Sequence, residues 1–269
     1  MSNIIRDTPF EKYPIGNRQV WVKREDLCVD ETHFSKMRGV YKHLSSRPEH
    51  FIGVLDSYHS KAGWGVSHIC KMIGKKAVVF YPQYTKEPGL RDNQVNCLRW
   101  DAILFPLQAG RSCILYHRAK SLLAEKYPES YMLPNALKLQ ESVDDTSDQV
   151  YNHTPGELIH GATWIISISS GTIGAGVIDG LRRLKANVNI ILHMGYSRSK
   201  DGVLNYISKY VGDVSDINLV DEGYGYKDAV ENSDISFPCN QYYDAKAWRW
   251  LVNNISRLKG KIVFWNIGE

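Results

Sequence analysis

The stretch "TWIISISSGTIGAGVIDGLRRLK", residues 163–185, decides how the chain is read. It begins as a strongly apolar strand (163–169) and turns through small residues into a helix. A strand carboxyl end feeding a helix amino end is where open α/β sheets bind ligands. In "SSGTIGAG" (169–176) small residues let backbone N–H groups approach a phosphate, and the following helix adds its positive end. The GK[ST] ending of a P-loop is absent and no clean GxGxxG is present. No acidic residue about 20 positions on marks a dinucleotide ribose, which argues against NAD. By itself such a turn is as often plain packing as an anion site.

Working outward, short apolar runs alternate with helical patterns. "VWVK" (20–23), "FIGVL" (51–55), "KAVVFYP" (76–82), "AILF" (102–105) and "SYMLP" (130–134) read as strands, as do "NVNIILHMG" (187–195) and "KIVFWNIG" (261–268). Val66, Ile69, Cys70 and Ile73 fall on one helix face, ended by Gly74. Segments 89–100, 111–127 and 201–212 also read as helices, the last with Asp201 as N-cap, and Trp248, Leu251, Val252 and Ile255 form a final stripe. Residues 135–160 are polar and read as a linker plus a returning helix. This alternation predicts an α/β fold of two doubly wound parallel-sheet domains. The smaller would comprise 38–150, and the larger 1–37 with 151–269.

Composition sets limits. Hydrophobic content of 43% and charged content of 23% are those of a soluble globular protein. No apolar run is long enough to span a bilayer, and the N-terminus lacks a signal-peptide pattern, so a cytoplasmic protein is expected. Five cysteines are scattered without a CxxC pair, which argues against a disulfide framework or zinc site. A net charge of +4 falls short of a strongly basic domain, and the short basic clusters at 180–185, 197–200 and 256–261 read first as solvated helix faces. The 16 tyrosines and 7 tryptophans would make contacts to a planar ligand easy to build.

Two more junctions carry chemistry. "VKREDLCVDETHFSKMRG" (22–39) places Lys36 at the opening of a helix with Arg38; on composition alone it is one more exposed lysine. "VLDSYHSKAGWGV" (54–66) places Ser60 and Lys61 ahead of a helix N-terminus, where Ser60 reads first as a cap.

Taken in order, "KREDL", a lysine about a dozen residues on, a serine-bearing strand–helix junction and the SSGT loop resemble the fold-type II pyridoxal-phosphate (PLP) enzymes. These are the tryptophan synthase β-subunit-like enzymes. "EGYGYKDA" (222–229), "QYYDAKAWRWL" (241–251) and the terminal "KIVFWNIG" resemble segments of its aminocyclopropane-carboxylate deaminase and D-cysteine desulfhydrase branch. The resemblance implies PLP as cofactor, in a cleft between the domains, and a homodimer. It makes Lys36 the Schiff-base lysine and a base at the substrate α-carbon. It places Ser60 on the substrate carboxylate or in proton transfer, and Tyr224 near the substrate. Ser169, Ser170, Gly171 and Thr172 become the phosphate loop. Lys61 stands where the family has an asparagine beside the phenolic oxygen. Ile267 stands where the family has a Thr or Ser facing the pyridine nitrogen, so that contact depends on Asn266 turning in. The chain is also compact for the family.

The implied activity is a lyase, deaminase or decarboxylase step at the α-carbon of an amino acid or amine. An alternative is a bacteriophage-type enzyme, such as a decarboxylase, that tailors an amino acid attached to a hypermodified thymidine. There the basic clusters and aromatics would suit a DNA-linked substrate. A third reading is an inactive binding relative, motivated by Ile267 and Lys61.

Overall fold

The computed structural model describes residues 5–32, 35–57, 59–86 and 89–268. Its strands in chain order are β1 (Phe10–Ile15), β2 (Arg18–Arg24), β3 (Phe51–Leu55), β4 (Lys76–Gln83), β5 (Ile103–Gln108), β6 (Tyr131–Met132), β7 (His160–Ile168), β8 (Asn187–Met194), β9 (Asn218–Val220) and β10 (Ile262–Asn266). The helices are α1 (Met37–Ser45), α2 (Ala62–Met72), α3 (Asp92–Arg99), α4 (Ser112–Lys126), α5 (Gln140–His153), α6 (Thr172–Arg183), α7 (Lys200–Val211) and α8 (Asp244–Asn254). By contacts the chain divides into residues 1–39 with 140–269, and residues 40–139.

The larger unit is built on a six-stranded sheet ordered β1-β2-β10-β7-β8-β9. Every neighbouring pair is parallel except β1–β2, an antiparallel hairpin in which Phe10 faces Lys23. Its strands bury both faces. Trp164, Ile166 and Ile168 of β7 join Val143, Val150, Ile178 and Ile207 of α5, α6 and α7 on one side. Ile165 of the same strand joins Phe264, Ala245 and Leu251 on the side covered by α8. Two-sided burial is why "TWIISI" carries almost no polar residues.

The smaller unit holds a four-stranded parallel sheet ordered β5-β4-β3-β6. Val78 and Phe80 pack with Leu115, Ala119 and Leu123 of α4. Val79, one residue between them, faces α2, where a Cβ on Gly63 would meet its side chain at 2.7 Å. The alternation confirms helices on both faces.

The sequence pattern missed β1 and β9. "FEKYPI" carries a proline and half-exposed positions, tolerable only on an edge strand, and β9 is three residues long. The polar run 135–160 holds a complete helix, α5, whose buried residues are Ser142, Val143, Thr146, Ser147, Gln149 and Val150. The returning helix expected there is present, and four of those six buried residues are polar, so no apolar stripe marked its bounds. Ser199, not Asp201, caps α7, its hydroxyl accepting from the Gly202 N–H at 3.1 Å.

Candidate functional site

The β7–α6 junction is the centre of the site in the larger unit. β7 ends at Ile168, Gly171 turns the chain in the left-handed region (φ 92°), and α6 opens at Thr172. Only a glycine adopts that turn without strain. The first turn of α6 has no acidic residue, and the Thr172 N–H reaches Ser170 Oγ only at a long 3.4 Å, so the positive end of the helix can still take an anion. The Ser170 hydroxyl lies 3.0 Å from Thr172 Oγ1, which in turn lies 3.2 Å from the Tyr206 hydroxyl. Lys36, half-buried and directly ahead of α1, brings its Nζ to 3.3 Å from Ser170 Oγ. The structure thus places the predicted lysine on the predicted loop, across 134 residues of sequence.

The "KRED" stretch holds this lysine's neighbourhood rigid. All four side chains are buried. Lys23 Nζ donates to the Thr8 carbonyl at 2.6 Å and to Gln149 at 3.2 Å; burial pulls its pKa down to about 8. Arg24 pairs with Asp26 at 2.7 Å and with Glu11. Glu25 pairs with Arg38, whose Nε bonds Asp145 at 2.8 Å. Arg38 lies two residues after Lys36, so this buried network pins the start of α1 to α5.

At the end of β10 the structure answers the question set by Ile267. Asn266 does not turn in freely: its amide donates to Asp26 at 2.8 Å and to the Pro238 carbonyl at 2.9 Å. The Ile267 N–H instead donates to Asp244 Oδ2 at 3.0 Å. Asp244 is fully buried at the start of α8, and its Oδ1 has no partner. Burial pushes this carboxyl well above its ordinary range, and the Ile267 N–H draws it down by less. A carboxyl therefore stands at the slot where isoleucine cannot bond a ring nitrogen. The sequence reading missed Asp244, although it is the one acidic residue in "QYYDAKAWRWL".

Tyr224 lies at the carboxyl-end side of β8. Lys246 is fully buried, donates to the Gly195 carbonyl at 2.6 Å and places its Nζ 4.7 Å from the Tyr224 ring centre. Burial lowers the lysine and raises the Tyr224 phenol. The phenol of Tyr243, next to Asp244, lies beside Ser169 of the loop, and burial raises it well above its ordinary value.

Ser60 and Lys61 lie in the smaller unit, where the loop after β3 enters α2. Ser60 Oγ accepts from the Ala62 N–H at 2.9 Å, which is a capping contact. The Ser60 carbonyl accepts from Asn93 at 2.8 Å. Lys61 holds its Nζ 4.8 Å from the Trp64 ring centre. Below them Asp56 is buried, accepting from the Ser57 N–H at 3.0 Å and from Gln94 at 3.2 Å. Desolvation lifts its pKa to about 7.

Among the described residues no three His, Cys, Asp or Glu side chains form a metal site, and no helix is long and apolar enough to cross a membrane. No family model matches the chain. Solved structures show the fold. An ACC deaminase homologue covers 100% of this chain and 91% of its own at a TM-score of 0.81 and 17% identity. A fungal L-serine ammonia-lyase from Rhizomucor miehei covers 98% and 94% at a TM-score of 0.70 and 16% identity. The fold is that of the fold-type II PLP enzymes. A curated relative, the glycyl-dTMP PLP-dependent decarboxylase of Pseudomonas phage M6, is 47% identical over 278 residues, covering 99% of this chain and 100% of the relative. The chain belongs to the family of PLP-dependent enzymes that contains this phage decarboxylase.

The residues present fit the cofactor on their own chemistry. A lysine amine stands on a hydroxyl-lined helix N-terminus, and a buried carboxyl bonds the backbone of Ile267, the position that the resemblance aligns with the ring-nitrogen contact. One end of the set suits an aldehyde and a phosphate, the other a protonated ring nitrogen.

Proposed function

We propose that this enzyme removes the carboxyl group of a glycyl unit attached to a thymidine nucleotide. The observation that carries the reading is the full-length 47% identity to the phage glycyl-dTMP decarboxylase, in a chain whose Lys36 meets Ser170 of the loop. When bound, PLP supplies an electron sink for the pair left at the α-carbon as the carboxylate departs as carbon dioxide.

The chain's own residues do the rest. The Ser169–Thr172 loop and the first N–H groups of α6 hold the phosphate. Tyr206 fixes the Thr172 hydroxyl. Lys36 would hold the cofactor's aldehyde carbon through its amine, and that amine would hand a proton to the substrate α-carbon in place of the lost carboxylate. Asp244 would serve the ring nitrogen; a cation there would restore the ionised carboxylate that burial otherwise disfavours. Tyr224, raised by burial, is a neutral hydroxyl on the substrate side.

The test is direct. Purified holoprotein incubated with glycyl-dTMP should release carbon dioxide and leave the amine. Borohydride trapping should label the peptide containing Lys36, and Lys36→Ala should lose both the visible band and turnover. Label on a peptide containing Lys61, or unchanged glycyl-dTMP, would overturn the reading.

A further inference from the structure

The carboxyl end of β8 carries groups that the proposed decarboxylation does not use. Past Met194 the chain runs Gly195-Tyr196-Ser197-Arg198. Tyr243 packs against Gly195, where a Cβ would come within 2.7 Å of its ring. The Tyr243 phenol lies beside Ser169 of the phosphate loop and beside Tyr226. Tyr226 meets Tyr196 edge to face, with ring centres 5.1 Å apart and planes at 85°. The Arg198 guanidinium stands 5.6 Å from the Tyr196 ring centre. The Ser197 N–H donates to the Tyr224 carbonyl at 2.8 Å, which ties the two tyrosine-bearing loops together.

Arg198 Nη2 is buried and has no hydrogen-bond partner. Among the described residues no carboxylate lies within 4.0 Å of this guanidinium. Two acids on the loop tied to this one by the Ser197–Tyr224 contact are engaged elsewhere. Asp221 accepts from the Ser197 hydroxyl at 2.5 Å and from the Gly223 N–H at 3.0 Å, and Glu222 lies 2.9 Å from His193 Nε2. A guanidinium N–H removed from water and left unpaired is costly, and an incoming anion relieves that cost. The tyrosine rings beside it offer faces and edges for a planar group. A bare amino acid offers a carboxylate but no planar group, whereas a nucleotide offers both an anion and a planar base.

We infer that Tyr196, Tyr226 and Arg198 form the subsite for the nucleotide part of the substrate, the pyrimidine against the tyrosines and the phosphate on Arg198. This rests on the reading that the substrate is a glycyl-nucleotide. The run Ser169–Tyr243–Tyr226–Tyr196–Arg198 joins the subsite to the cofactor's phosphate loop within one unit. The phosphate has the same chemistry in a free nucleotide and in a DNA strand, so both sources belong in the test.

Holoprotein is titrated with dTMP, with thymidine and with a thymidine-containing single-stranded oligonucleotide, followed by calorimetry. Wild type should bind dTMP about tenfold or more tighter than thymidine, the scale of one charge-assisted phosphate contact. Arg198→Gln should bring dTMP down to the thymidine level and leave thymidine unchanged; Arg198→Lys should recover part of the loss. Tyr196→Leu should weaken both ligands. An unchanged visible cofactor band in each variant shows the fold intact. Tighter, salt-sensitive oligonucleotide binding assigns the phosphate to a strand, and equal affinity assigns it to the free nucleotide. Equal dTMP affinity in wild type and Arg198→Gln, or no saturable binding of dTMP or oligonucleotide, overturns the subsite. Turnover of glycyl-dTMP, measured alongside, separates the two readings. Turnover with an unchanged KM in Arg198→Gln removes the subsite and leaves the decarboxylase. Arg198-dependent dTMP binding without turnover does the reverse.

Discussion

Replacing Gly176 with alanine separates two explanations of the glycine-rich stretch. Gly176 and Gly180 lie one helical turn apart on α6, on the face turned to α5. A Cβ at 176 would stand 2.5 Å from Thr146 Cβ and 2.6 Å from the Val143 carbonyl oxygen. Carbon contacts settle near ~3.5–4 Å, so α5 and α6 would have to part by about 1 Å. The obstacles are backbone and a β-carbon, which cannot swing away. Overpacking of this kind costs about 1–3 kcal/mol, and the rigid obstacles place it at the upper end. Alanine's better helix propensity offsets about 1 kcal/mol. The net loss is about 1–2 kcal/mol, or roughly 2–8 °C in Tm for a unit of this size. Urea and thermal unfolding of Gly176→Ala should show that loss with and without PLP. Gly171→Ala instead forces a side chain into φ 92° at the loop itself and should weaken retention of the cofactor's phosphate. If Gly176→Ala is as stable as wild type and merely loses PLP, the glycine serves the phosphate and the packing argument is wrong.

Three other perturbations have defined outcomes. Arg38→Met strips a buried Glu25 of its guanidinium while Lys23 stays 3.9 Å away, so a loss near the low end of the ~3–5 kcal/mol scale is expected in chemical unfolding; a neutral result would refute the network's role. Asp56 has a folded pKa of about 7, above its unfolded value of 3.8, so its contribution to stability is full below about pH 4 and is lost as pH rises through 7. Asp56→Asn should flatten that part of the profile between pH 5 and 8, while costing about 1–3 kcal/mol for an N–H left unmatched; parallel wild-type and variant profiles would count against it. Asp244→Asn keeps an oxygen for the Ile267 N–H but removes the charge facing the ring nitrogen. It should retain PLP and lose about 10²-fold or more in turnover, the scale of one preorganised electrostatic partner; undiminished turnover would take Asp244 out of the site.

The β7–α6 turn was legible in the sequence because it is local: a strand, a left-handed turn and a helix N-terminus all fall within "SISSGT". Lys36 stood out only through the family resemblance, since by composition it is one more exposed lysine. What the pattern hid is long-range. Asp244 meets Ile267 across 23 residues, and Asn266 meets Asp26 across 240. No periodicity announces such a pair, since a buried carboxyl at a helix start reads like any first-turn acid until its burial is known. The glycines leave two readings open. "SSGTIGAG" reads as either plain packing or an anion site, and the fold divides it between a turn at Gly171 and a helix interface at Gly176 that Gly180 extends. The division has a functional consequence. Close packing on α5 fixes the axis of α6, and Arg38, bonded to Asp145 of α5, fixes the start of α1 just past Lys36. The same helix therefore registers both the loop that holds the phosphate and the lysine that meets it. A perturbation of α5 should be felt at the Lys36–Ser170 contact before it is felt anywhere in the smaller unit's sheet.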